Sequence, residues 1–222
     1  RHGALPVKIA PQLDALLKEI AAGNVVVVMQ NLGLSWVPAW HYAVVVGYDL
    51  DKELVWLRSG TEKRFEMSMS TFQRTWARSQ SWAFVALKPG SLPASVEPAA
   101  MVQALITFEK TASTADIKLA YTAAAKRWPD NLVILMGLGN SAFVSGDIPG
   151  AGAAFLAAIS AHPDSAAAYN NLANVRLAEG DQSAARDAAE KALRLAEQNP
   201  ALQSKIRATL DQINAYSARN IN

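Results

Sequence analysis

Residues 131–165 read NLVILMGLGNSAFVSGDIPGAGAAFLAAISAHPDS, and residues 166–200 read AAAYNNLANVRLAEGDQSAARDAAEKALRLAEQNP. Shifted by 34 residues, Leu138 meets Leu172, Gly139 meets Ala173 and Gly146 meets Gly180. Asp147 then meets Asp181, Ala151 meets Ala185, and Ala158 meets Ala192. A fixed period of this size is the mark of a stacked supersecondary unit, and its composition predicts helix–turn–helix. Small residues at 139, 173, 151 and 185 let paired helices approach closely. Large residues at Leu135, Tyr169, Leu138 and Leu172 fill the space between layers. One period earlier, Pro129, Ala124, Tyr121 and Phe108 take corresponding places, although KTASTAD (110–116) replaces the Gly-Asp turn. After Asn199, Leu202, Ile206, Leu210 and Ile213 recur at helical spacing, as in a helix that covers the apolar end of a stack.

The period, the small/large pattern and Pro163 at the end of the second helix match the tetratricopeptide repeat. The second half is therefore expected to be an all-α solenoid over 98–222, three repeats plus a capping helix. The resemblance implies a concave face that binds a peptide or protein ligand. Asn140, Asn170, Asn171 and Asn174 are the candidate partner-binding residues, because each side-chain amide offers a donor and an acceptor to a peptide backbone. Asparagine at such places also tightens helix pairing, and the residues alone leave both roles open.

Composition narrows the rest. Of 222 residues, 51% are apolar and 18% charged, which is a globular balance. The net charge of +2, from 21 basic and 19 acidic residues, makes no electrostatic case for nucleic acid or an anionic membrane. With no cysteine there is no disulfide, thiolate metal site or thiol nucleophile in these residues. No His-Glu-x-x-His, paired histidine or phosphate loop is present, so no metal or cofactor is expected. No apolar run reaches the roughly 20 residues of a membrane helix. A chain opening on Arg1 is expected to be a piece of something longer. An upstream signal would place a bacterial protein of this kind in the cell envelope or periplasm.

The first half follows another grammar. It holds five of the six tryptophans and much valine, and KPGSLPASVEP (88–98) separates it from the alanine-rich remainder. That punctuation predicts a linker at 90–97 after a domain at 1–89. PQLDALLKEIAAG (11–23) predicts a helix ending at Gly23. Strands are predicted at 24–31, 41–49, 53–59, 64–68 and 81–89, with a short helix at 70–79 capped by Ser70. The order gives an α+β domain with a largely antiparallel sheet.

WHYAVVVGYD (40–49) sets His41, one of three histidines, at the start of an apolar strand. By itself it reads as a packed strand-end histidine, with Trp36 and Trp40 as core. The context AGNVVVVMQN…WHYAVVVGYD…ELVWLRSG resembles the papain-like cysteine peptidases that process bacteriocin leader peptides, family thirty-nine of that class. The resemblance covers residues 1–89 and implies the C-terminal half of a papain-like domain.

Carried over by position, His41 matches the general base that deprotonates a thiol for attack on a peptide carbonyl. Trp36 and Trp40 would wall the substrate. The cysteine and its oxyanion glutamine would lie upstream of Arg1; Gln30 reads as an ordinary strand-end polar residue. Where the family places an aspartate, this chain has Arg58 and Ser59, so Ser59 is left to orient the imidazole. Asp49 and Asp51 lie roughly 25 Å away along an extended strand.

Two functions follow as expectations. One is a cysteine peptidase-like protein that binds and cleaves peptides, with repeats recruiting a partner. The other is an inactive peptidase-like module acting as a peptide binder or scaffold through the repeats. Either way, a half domain calls for its missing N-terminal segment, a second chain or self-association to complete it. His162 and His2 read as surface residues. Lys63, Arg64, Arg74 and Arg78 read as a solvated face.

Overall fold

The computed structural model describes residues 3–219, with side chains through Tyr216; His2 lies outside them. The chain divides into two compact units at Ala112/Ser113.

The first unit is a six-stranded antiparallel sheet. Its strands are β1 (Leu5–Lys8), β2 (Val26–Asn31), β3 (Trp40–Asp49), β4 (Leu54–Ser59), β5 (Glu62–Ser68) and β6 (Ala83–Leu87), in the order β1-β6-β2-β3-β4-β5. Hairpins join β2 through β5. The last strand then returns to sit between β1 and β2. Val26, Val28, Ala43, Val45, Val55, Leu57, Ala83 and Val85 are buried at alternate positions. Helices α1 (Leu13–Ala21) and α2 (Met69–Ala77) pack against the sheet. Helix α1 contributes Leu16, and α2 contributes Phe72 and Trp76, whose rings stack at 5.5 Å. Gly23 follows α1 with φ +83°, a left-handed conformation glycine adopts without strain. The cap of α2 is Ser68 rather than Ser70: its Oγ accepts from the Thr71 N–H at 3.4 Å. A register shift between Val45 and Gly47 lets the Trp56 ring lie over the β3 backbone, where any Cβ at 47 would overlap it.

Helix α3 (Pro98–Glu109) also belongs to this unit and packs on β1, burying Met101, Leu105 and Phe108. The stretch read as a linker, 90–97, is fastened to α1. The buried Glu19 carboxylate accepts from Asn24 Nδ2 at 2.7 Å, Ala94 N at 3.1 Å, Ser95 N at 2.7 Å and Ser95 Oγ at 2.6 Å. Four donors on one carboxylate satisfy a buried charge without a cation. Proline and glycine marked irregular backbone here, and irregular backbone can still be tightly held.

The second unit is all helix: α4 (Thr114–Arg127), α5 (Leu132–Val144), α6 (Ile148–Ala161), α7 (Ala166–Ala178), α8 (Gln182–Leu195) and α9 (Pro200–Arg219). Ser113, Asn131, Asp147, Ser165 and Asp181 cap α4 through α8, each side chain accepting a backbone N–H of the first turn. Gly146 and Gly180, at φ +80° and +83°, end α5 and α7 one period apart. The small residues work as expected. A Cβ at Gly137 would strike the Tyr121 ring, and one at Gly139 would strike Phe155. Phe155 packs with Ala142, Ala151, Leu172 and Val175 in one core cluster. Helix α9 closes the end, burying Ile206 beside Ala192 and Ile213 beside Ala189.

Candidate functional site

In the second unit, α5, α6, α7 and α9 surround a cavity of about 390 Å³. Asn140 and Phe143 come from α5, one helical turn apart. Asn171, Asn174, Leu177 and Ala178 come from one face of α7, while Phe155 contributes from α6 and Gln212 and Tyr216 from α9. Phe155 is 2% exposed, whereas Phe143 and Tyr216 are open to solvent at 36% and 39%. Among the described residues the lining holds no Asp, Glu, Lys, Arg or His.

The amides are partly committed. Asn171 Nδ2 donates to Asn140 Oδ1 at 2.9 Å, linking α7 to α5, and Asn174 Nδ2 donates to the Asn170 carbonyl at 3.1 Å. So Asn140, Asn171 and Asn174 line one cavity. Asn170 does not: it is 9% exposed, and its Oδ1 is buried without a hydrogen bond among the described residues. Asn170 is instead turned into the packed side of α7, about 100° around the helix from Asn171. Sequence reasoning missed Phe143, Phe155, Leu177 and Ala178, although 143 lies one turn from Asn140 and 177 one turn from Asn174. It also missed Gln212 and Tyr216, because α9 was read only as a cover.

In the first unit, β3 and β4 bring His41 and Ser59 together, with His41 Nε2 2.7 Å from Ser59 Oγ. His41 is half-buried. Trp36 is 76% exposed and Trp40 54% exposed, so neither is core. The β2–β3 loop that carries Trp36 is ordered from within: Asn31 Oδ1 accepts from Gly33 N and Ala39 N, both at 2.9 Å. Arg78 is exposed, on the solvated face expected of it, and also donates through Nη1 to the Gly33 carbonyl at 2.6 Å and the Asn31 carbonyl at 3.3 Å. Gln30 is buried and donates to Thr75 Oγ1 at 2.7 Å. Asp49 is engaged at its own hairpin. It accepts from the Lys52 N–H and pairs with Lys52 Nζ at 3.2 Å, and these contacts hold its carboxyl below the usual range. His162, expected as a free helix-end residue, has Nε2 2.7 Å from the Asp130 carbonyl. Among the described residues no cluster of His, Asp and Glu could hold a metal ion.

Comparison with known proteins bears on the helical unit. The tetratricopeptide-repeat family model matches residues 118–166 and 136–200. The match supports the tetratricopeptide-repeat reading of residues 118–200, which span α4 to α8. No curated protein matches the chain. Among solved structures, the type III secretion translocator chaperone SycD of Yersinia enterocolitica is similar at 12% identity, over 55% of this chain and 84% of SycD, with a TM-score of 0.50. A second SycD structure, an alternative dimer, gives 14% identity over 54% and 93% with the same TM-score. PcrH, solved with the chaperone-binding region of PopD, gives 18% identity over 55% and 90%, with a TM-score of 0.47.

Proposed function

We propose that the chain is a polypeptide-binding module whose repeats recruit a peptide or protein partner at the cavity bounded by α5, α7 and α9. The observation that carries this reading is the composition of that cavity: open aromatic and aliphatic surface beside side-chain amides with unused hydrogen-bonding capacity. Apolar surface supplies affinity, and a few placed polar groups supply register. The fold shared with SycD, a translocator chaperone, agrees with such a role. The test is binding of fluorescein-labelled peptides, measured by anisotropy. A peptide pool should contain binders whose affinity falls at least about tenfold in Leu177→Glu, a loss of about 1.4 kcal/mol. Undiminished binding by that variant would remove the assignment.

A second reading is favoured by the His41–Ser59 contact. The first unit is then the C-terminal half of a papain-like domain, with His41 as base, Ser59 orienting its imidazole, and Trp36 and Trp40 against substrate. A Ser–His contact is weaker than a carboxylate–imidazolium one, so the base would be less well held in its charged form. These 222 residues contain no cysteine, so the nucleophile would come from an upstream segment or from a different chain. Peptidase activity in a protein carrying that segment, lost in His41→Ala and lowered in Ser59→Ala, is the expected outcome. Full activity in His41→Ala would end this reading.

A further inference from the structure

The repeat cavity also indicates what kind of segment it takes. We infer that it seats a neutral stretch of polypeptide through one large apolar side chain, with α9 as one wall; this rests on the cavity being the binding site. Three observations converge. The first is charge. With no Lys, Arg or His among the described lining residues, an acidic side chain or a chain-terminal carboxylate would lose water and gain no cation from them. With no Asp or Glu, a basic side chain meets the same obstacle.

The second is the state of the amides. The Asn171–Asn140 bond uses one N–H of Asn171 and the oxygen of Asn140. That leaves the Asn171 oxygen and both N–H groups of Asn140 among the described residues. Asn174 has spent one N–H on the Asn170 carbonyl and keeps its oxygen. The site thus offers acceptors and donors on neighbouring turns, matched to the N–H and C=O of an uncharged backbone rather than to an ion. Since each asparagine is anchored by its other end, little side-chain freedom is lost when a ligand binds.

The third is the apolar part. Phe143 and Tyr216 stand exposed on α5 and α9, with buried Phe155 and half-buried Leu177 between. Aromatic pairs of this kind, apolar but tipped by a polar group in tyrosine, form the anchor pockets of interfaces. Tyr216 and Gln212 flank Ile213, which is fully buried against Ala173, Ala185 and Ala189. The packing of Ile213 therefore fixes both wall residues. Helix α9 serves as cover and as binding wall at once.

The experiment uses the whole chain and four labelled 12-residue peptide sets built on a Gly/Ser/Asn background. One set carries a single Leu, Phe or Trp, a second adds three Asp or Glu, a third adds three Lys, and a fourth compares free and amidated C-termini. Anisotropy titrations are run at 50 and 500 mM NaCl. The expected result is binding led by the neutral anchored set, changed less than about twofold by salt or by amidation. Tyr216→Ala and Asn140→Asp should each weaken it by about fivefold or more, with far-ultraviolet circular dichroism and melting midpoint unchanged. Asn140→Asp keeps the side-chain shape and an oxygen that accepts from Asn171 Nδ2, so its loss reads the charge rule rather than folding. If acidic or free-carboxylate peptides win and salt weakens them, the neutral-anchor inference is overturned while the cavity remains the binding site. If no set binds, or if Leu177→Glu leaves binding unchanged, the binding-site reading falls with it.

Discussion

The two units solve the same packing problem with opposite kinds of contact. In the repeat unit, a residue's neighbours are set by its own helix and by helices one or two steps along the chain. Gly139 meets Phe155, and Asn171 meets Asn140. In the sheet unit, β1 pairs with β6, so Leu5 lies beside Leu87 and Val7 beside Val85. Glu19 reaches to Ser95. Local contact repeats itself and leaves a period in the sequence. Distant contact happens once and leaves only strand-like runs.

The sharpest way to break this comparison is to remove one large core side chain from each unit. Phe155→Ala should cost about 3–5 kcal/mol in the repeat unit, and Trp76→Ala a similar amount in the sheet unit. Far-ultraviolet circular dichroism follows the helices, and fluorescence follows the tryptophans, five of which lie in the first unit. Phe155→Ala should lower the helical midpoint more than the fluorescence midpoint, and Trp76→Ala the reverse. A common shift of both signals would show that the units unfold as one.

Glu19→Ala comes next. It strips the partners from Ala94 N and Ser95 N and should cost about 2–3 kcal/mol in the first unit. Limited proteolysis within 90–97 should quicken in this variant; an unchanged rate would show that the carboxylate does not hold the segment. Smaller again is a pair of glycine substitutions that sets strand against helix. Gly47→Ala drives a methyl into Trp56 and should cost about 1–3 kcal/mol. Gly137→Ala drives one into Tyr121, but alanine favours a helix by about 1 kcal/mol, so the net loss should be smaller. Equal losses in urea titrations would contradict that account.

Smallest is the Lys118–Asp147 pair, at 2.6 Å. The Lys118 ammonium, then the Gly150 N–H, hold the Asp147 carboxyl below its usual value. The stabilisation is present above the unfolded carboxylate range and fades as pH falls through the lowered folded value. Lys118→Ala should therefore flatten the acid limb of the melting-temperature profile and leave the alkaline side unchanged.

Much of this was legible. The 34-residue period located the turns at Gly146 and Gly180 and the close approach at Gly139. It could not orient Asn170, whose neighbour took the groove face. The hairpin strands and the His41 strand were readable from valine runs. The short β1, buried through pairing with distant β6, has too few residues for a pattern of its own and is visible only through the resemblance, in which RHGALPVKI (1–9) matches a loop-and-strand segment. Arg78 read as a surface base because only the folded β2–β3 loop offers it carbonyls. Ser59 was placed near His41 by position in a resembling family, and the sheet register puts its oxygen 2.7 Å from the imidazole.

The most direct test of the account compares two variants of the same chain, Leu177→Glu in the repeat groove and His41→Ala in the sheet unit, for binding of one neutral apolar-anchored peptide by anisotropy. The account predicts a loss of about tenfold or more in Leu177→Glu and none in His41→Ala. Loss in His41→Ala with Leu177→Glu unaffected would move the binding site to the first unit and contradict the central claim.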